Sequence, residues 1–210
     1  EAEKNNLLSL GMQLHSLGHY DKAIEYLEEA QSISNKLGHV GDEKTSMDLL
    51  GQCCLSTGNY ERAIECFAKV LEFVRLEGKA KKEMEVLNML AQACFKGNVF
   101  DRAELNFKLS LEKAQKLGSK EVQAQVLDDL GRLCNTVKKY QSAITYLKEG
   151  KTLAHQNNLK IREMGILENL SMTYMQTSKH KKAFDCLDGA LEIGRKLGDN
   201  RGQGLILKKM

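Results

Sequence analysis

LSTGNYERAIECF, residues 55–67, sets a turn former before an aromatic residue and then spaces Ala63 and Phe67 four apart. The frame returns every 40 residues. Alignment at that shift superposes Leu10, Leu50, Leu90, Leu130 and Leu170, each followed by a small residue: Gly11, Gly51, Ala91, Gly131 and Ser171. Thirteen positions after each leucine stands an alanine (Ala23, Ala63, Ala103, Ala143, Ala183), and four further on come Leu27, Phe67, Phe107, Leu147 and Leu187. Tyr20, Tyr60, Phe100, Tyr140 and His180 precede the alanines by three. Five copies without slippage mark an internal repeat.

Each copy reads as two helices. Leu7, Leu10, Gly11, Leu14 and Leu17 follow the three-and-four spacing of one helical stripe, as do Ala23, Leu27, Ala30 and Ile33. Turn formers lie between them, at residues 17–21, 57–61 and 177–181. Gly38, Gly78, Gly118, Asn158 and Gly198 close the second helices, being residues that tolerate a left-handed backbone at a helix C-terminus. The small columns let two helix backbones approach closely, and the residue four after the alanine fills the adjoining gap. The 210 residues contain no proline and no tryptophan, which suits uninterrupted helices. The expected fold class is all-α, a solenoid of antiparallel helix pairs in a single array over 1–210. Its repeats span 2–40, 41–80, 81–120, 121–160 and 161–199, with part of a sixth first helix at 200–210, where Leu207 matches Leu167 and Met210 matches Leu170.

Leu-Gly followed at fixed distance by Ala-x-x-x-Phe resembles the tetratricopeptide repeat over essentially the whole chain. The period is 40 rather than 34, an aliphatic stands for the usual tryptophan, and Asn35, Arg75, Gln115, His155 and Arg195 occupy the place of the closing proline. This long-period form is similar to the repeats of the Pins/LGN spindle-orientation adaptors and of rapsyn. The resemblance implies a right-handed superhelix and a scaffolding role between protein partners. It also departs from those adaptors, whose grooves carry regular asparagines before the Leu-Gly, since only Asn169 does so here.

The remaining residues offer no chemistry. Cys54, Cys94 and Cys134 share a column with Leu14 and Tyr174, and Cys66 and Cys186 share one with Tyr26 and Tyr146, so the cysteines read as core side chains. No zinc spacing occurs, and neither a metal nor another cofactor is expected. His15, His19, His39, His155 and His180 form no metal or catalytic pattern, and Gly202-Gln203-Gly204 lacks the Gly-Lys-Ser/Thr of a phosphate loop. No catalytic residue is expected. With 31 basic against 28 acidic residues the charge is too balanced to suggest nucleic acid, and no apolar run is long enough to insert in a membrane. Free thiols and the lack of an opening signal peptide point to the cytoplasm.

What remains is a surface. At 100° per residue, positions one step after the stripe lie opposite it: Leu8, Met12 and His15; Asp48, Gln52 and Leu55; Asn88, Gln92 and Phe95; Asp128, Arg132 and Asn135; Glu168, Met172 and Met175. The resemblance implies that this face lines a concave groove holding an extended or helical peptide. Asp48, Glu85, Asp128 and Glu168 outnumber Lys96 and Arg132 there, which predicts a partner segment with basic residues among apolar ones. The lysine and asparagine clamp of chaperone-binding repeats is missing. The sequence therefore points to a non-enzymatic protein-interaction scaffold. The alternatives are a repeat-based peptide sensor or phosphatase, and a structural assembly component.

Overall fold

A computed structural model describes residues 2–38 and 40–208. His39 and Met210, both named above, lie outside the described residues. The described chain is helical and its contacts divide it into two compact units, Glu1–Asn106 and Phe107–Met210.

The first unit holds α1 (Ala2–Ser16), α2 (Tyr20–Leu37), α3 (Val40–Thr57), α4 (Tyr60–Leu76), α5 (Ala80–Lys96) and the start of α6 (Phe100–Lys116). The second holds the rest of α6, then α7 (Lys120–Thr136), α8 (Tyr140–Gln156), α9 (Lys160–Gln176), α10 (His180–Leu197) and α11 (Asn200–Leu207). In the first unit α1 to α5 pack each on the next, and α1 also touches α3; in the second α7 to α11 do the same, and α7 touches α9. Within each unit α1 and α3, and α7 and α9, therefore lie side by side, backed by their second helices.

Sharp turns set this spacing. A residue with positive φ follows each of α1 to α10 at 20-residue intervals: Gly18, Gly38, Gly58, Gly78, Asn98, Gly118, Lys138, Asn158, Ser178 and Gly198. In the turn after α7, Lys138 has φ 60° and the next amide, Lys139 N–H, donates back to the Cys134 carbonyl at 2.7 Å. This six-to-one bond satisfies a carbonyl the helix end would otherwise orphan. Side-chain caps are few: Asn59 accepts from Arg62 N–H at 3.3 Å and Asp199 from Gly202 N–H at 2.8 Å.

The two small columns do what their size predicts. All five column alanines are fully buried. A Cβ on Gly51 would stand 2.7 Å from Phe67 Cε1, and one on Gly131 would stand 2.4 Å from Leu147 Cγ, so glycine is required where the second helix presses its large residue against the first. The stripe of α1 is only partly covered. Leu10 is 43% exposed and Leu17 70%, whereas Leu50, Leu90, Leu130 and Leu170 are buried. Leu50 and Leu170 pack among residues of their own pair and of the pair before it in the same unit.

Candidate functional site

The side-by-side first helices present the columns singled out from the sequence. In the first unit, Lys82 of α5 donates to Asp48 Oδ2 of α3 at 2.7 Å, so one groove acid is already paired. Gln52, Leu55, Asn88, Gln92 and Phe95 are half-buried. Phe95 packs on Phe100 with ring centroids 6.3 Å apart, and His15 meets Tyr20 edge-on at 5.7 Å, so these two side chains rest against the aromatic residue that opens their own second helix. Met12 is 48% exposed.

The second unit uses neutral partners instead. Asn169 of α9 donates to Asp128 Oδ1 of α7 at 2.7 Å, and Asn135 donates to Thr173 Oγ1 at 2.6 Å. Asp128, counted above among the face acids, is almost wholly buried, and that burial pushes its carboxyl pKa up against the opposing pull of Asn169, Arg132 and Arg162. Arg132 reaches Asp129 at 3.1 Å, Glu168 is half-buried, and Met172 and Met175 are each 45% exposed. The acid surplus read from sequence is thus smaller than a residue count suggests: Lys82 offsets Asp48, and Asp128 is withdrawn from water.

Polar satisfaction is incomplete on this face. Among the described residues, the buried side-chain oxygens without a hydrogen-bond partner are Ser46 Oγ, Asp48 Oδ1, Asn88 Oδ1 and Asn135 Oδ1. Three of the four belong to the predicted face, and a buried acceptor left unmade costs about 1–3 kcal/mol. A cavity of about 580 Å³ opens in the second unit, lined in part by Asp128, Leu159, Ile161, Arg162, Gly165 and Leu197. Of these the sequence reading named only Asp128 as a site residue. The signal it passed over is Gly165, a glycine inside α9 where the other copies have Asn5, Thr45, Glu85 and Gln125.

No group of histidine, cysteine, aspartate and glutamate side chains among the described residues could hold a metal ion. Cys53 and Cys66 are buried thiols whose pKa values desolvation raises to about 11, far from a reactive thiolate at neutral pH. No described helix is long and apolar enough to cross a membrane.

The tetratricopeptide-repeat family model matches residues 3–75, and the helix pairs beyond residue 75 keep the 40-residue spacing of those within it. The fold of the whole chain is that of a tetratricopeptide-like solenoid. Solved structures with the same fold include aspartyl phosphate phosphatase F from Bacillus subtilis, at 14% identity over 97% of this chain and 54% of that one, with a TM-score of 0.85. A Rap protein complexed with competence and sporulation factor aligns at 13% identity over 97% of this chain and 57% of that one, TM-score 0.76. BtubC from P. vanneervenii aligns at 21% identity over 93% and 81%, TM-score 0.76. The repeat array thus spans little more than half of the first two chains. No curated protein matches the sequence. Tetratricopeptide repeats commonly serve as protein-interaction scaffolds and are generally non-catalytic.

Proposed function

We propose that this tetratricopeptide-repeat chain is a non-enzymatic cytoplasmic scaffold that holds a linear peptide segment against the faces of its first helices. The observation that carries the reading is the run of exposed apolar side chains on these faces, Met12, Met172 and Met175, beside the half-buried amides of Gln52, Asn88 and Gln92. Amide side chains in such a face can hydrogen-bond an extended peptide backbone. Exposed Met172 and Met175 offer adaptable apolar contact beside them. The preferred segment interleaves basic and apolar residues.

Selection of random linear peptides displayed on phage tests the reading. Enrichment of sequences mixing Arg or Lys with Leu, Met or Phe is the expected result. Their affinity should fall by about tenfold in Met172→Glu/Met175→Glu and in Asn88→Ala, each equivalent to roughly 1.4 kcal/mol. Failure to enrich any peptide, or binding indifferent to all these substitutions, overturns it. The likeness in fold to the phosphatase and the Rap protein favours one other reading, the repeat portion of a peptide-responsive regulator. Dephosphorylation of an aspartyl-phosphate substrate by the chain would decide for that alternative.

A further inference from the structure

Glycines inside helices cost stability relative to alanine, so each calls for a reason. In the second unit most have one in packing: a Cβ on Gly131 would strike Leu147, one on Gly150 would lie 3.2 Å from Leu127 Cβ, and one on Gly194 would lie 3.3 Å from Gln203 Cγ. Gly165 has none. A Cβ there would meet no atom within 4 Å, because the residue faces the 580 Å³ cavity. Copies of the same column in the other repeats are Asn5, Thr45, Glu85 and Gln125, whose side chains would project into such a space. The glycine keeps the cavity open.

The cavity walls have a definite chemistry. Ile161 is 75% exposed and Leu197 45%, with Leu159 beside them, so an apolar stripe is left facing water. Asp128 and Glu121 bring two carboxyl groups to the same space. The two cations of the lining are engaged with other side chains: Lys160 lies 3.0 Å from Glu163 Oε2, and Arg162 donates to Gln125 Oε1 at 3.4 Å. Asp128 for its part receives a hydrogen bond from a neutral amide and carries no ion pair of its own at contact distance among those described.

We propose that this cavity is an anchor pocket for one arginine or lysine side chain of a bound segment, its aliphatic stem lying along Leu159, Ile161 and Leu197 and its cationic head reaching Asp128 and Glu121. The assignment rests on the peptide-binding reading above and names the residue type that reading leaves open. A long basic side chain matches both halves of the pocket, since it buries its methylenes on apolar surface and offers N–H donors at the end. Burial that disfavours the Asp128 carboxylate supports the choice, because an arriving cation favours the ionised form.

The pocket can be tested without knowing the partner. N-acetyl-arginine N-methylamide, its norleucine counterpart and its glutamate counterpart are titrated into the chain while the methyl resonances of Leu159, Ile161 and Leu197 are followed by NMR. Saturable shifts with the arginine probe, weaker by about tenfold with norleucine and missing with glutamate, are expected for a charge-assisted contact over an apolar wall. Gly165→Gln should abolish the shifts while melting no lower than the parent, because the side chain enters open space. Asp128→Asn should bring arginine down toward norleucine. Equal binding of the three probes, no shifts at all, or shifts unchanged in Gly165→Gln overturns the assignment. If phage-selected peptides bind and ignore Gly165→Gln, the scaffold reading survives and the pocket does not; if the arginine probe binds and no peptide is enriched, the reverse holds.

Discussion

Gly131 and Gly165 sit in the middle of first helices of the same unit and answer to opposite demands. Gly131 lies on the seam between α7 and α8, where Leu147 leaves no room for even a methyl group. Gly165 lies on the open face of α9, where nothing would touch that methyl. Seam positions are dictated by the partner helix and repeat along the chain as small residues. Face positions have no such partner and vary freely from copy to copy, so an unusual choice there points outward, toward whatever binds.

The contrast can be broken by a pair of identical substitutions. Gly131→Ala gains the helix propensity of alanine but forces Leu147 off its position, and a net loss of about 1–3 kcal/mol is expected from overpacking. Gly165→Ala gains the same propensity with no clash, and a rise of about 0.5–1 kcal/mol is expected. Chemical denaturation of both variants, read at constant m-value, checks the signs. Two losses of equal size would mean that α9 is packed where the structure leaves it open.

This split also explains what could be read from the sequence. Columns such as Ala23 to Ala183, or Gly51 with Phe67, are packing rules repeated five times, and repetition makes them legible. The turns were legible for the same reason, down to the left-handed glycines at 38, 78, 118 and 198. Contacts between repeats are not of this kind. Lys82 with Asp48 and Asn169 with Asp128 join positions 34 and 41 apart, so one column of acids acquires a cation in one place and an amide in another. Spacing placed both aspartates on the face but could not foretell that Asp128 would be withdrawn from solvent. Leu10 and Leu17 show the converse, a stripe that spacing reads as core but that stays largely exposed. The cavity went unseen because it is made by a side chain that Gly165 does not have.

Turns offer a smaller effect along the same line. Gly18 and Gly58 adopt positive φ at little cost, but Lys138 and Ser178 hold φ near 60° and 55° with a Cβ present. Left-handed backbone costs such residues about 1–2 kcal/mol, and glycine returns roughly half of that through its larger unfolded-state entropy. Ser178→Gly should therefore stabilise by about 0.5 kcal/mol, seen as a slightly higher Tm. Gly18→Ser should do the opposite. A Ser178→Gly variant that melts lower would show that the serine has contacts outweighing its backbone strain.

The finest test returns to the two aspartates in one column. Asp128 is buried and its pKa lies above the ordinary value of 3.8, so folding disfavours its charge. Below pH 3.8 the carboxyl is neutral in both folded and unfolded chains, and no cost of burying charge arises. As pH rises the unfolded chain ionises first, so stability is lost from about 3.8 up to the higher folded value, and the full penalty applies above it. Asp128→Asn keeps an acceptor for Asn169 and cannot ionise. It should melt higher than the parent at pH 7, and the difference should shrink toward zero below pH 3.8. Asp48→Asn instead removes a carboxylate that meets an ammonium at 2.7 Å in a part-buried pair. It should give no gain at neutral pH. Thermal melts of the two variants across pH 3–7 separate the cases. An Asp128→Asn advantage that ignores pH would mean that Arg132 and Arg162 already compensate the buried charge, and with it would go the physical reason for a cation to enter the pocket beside it.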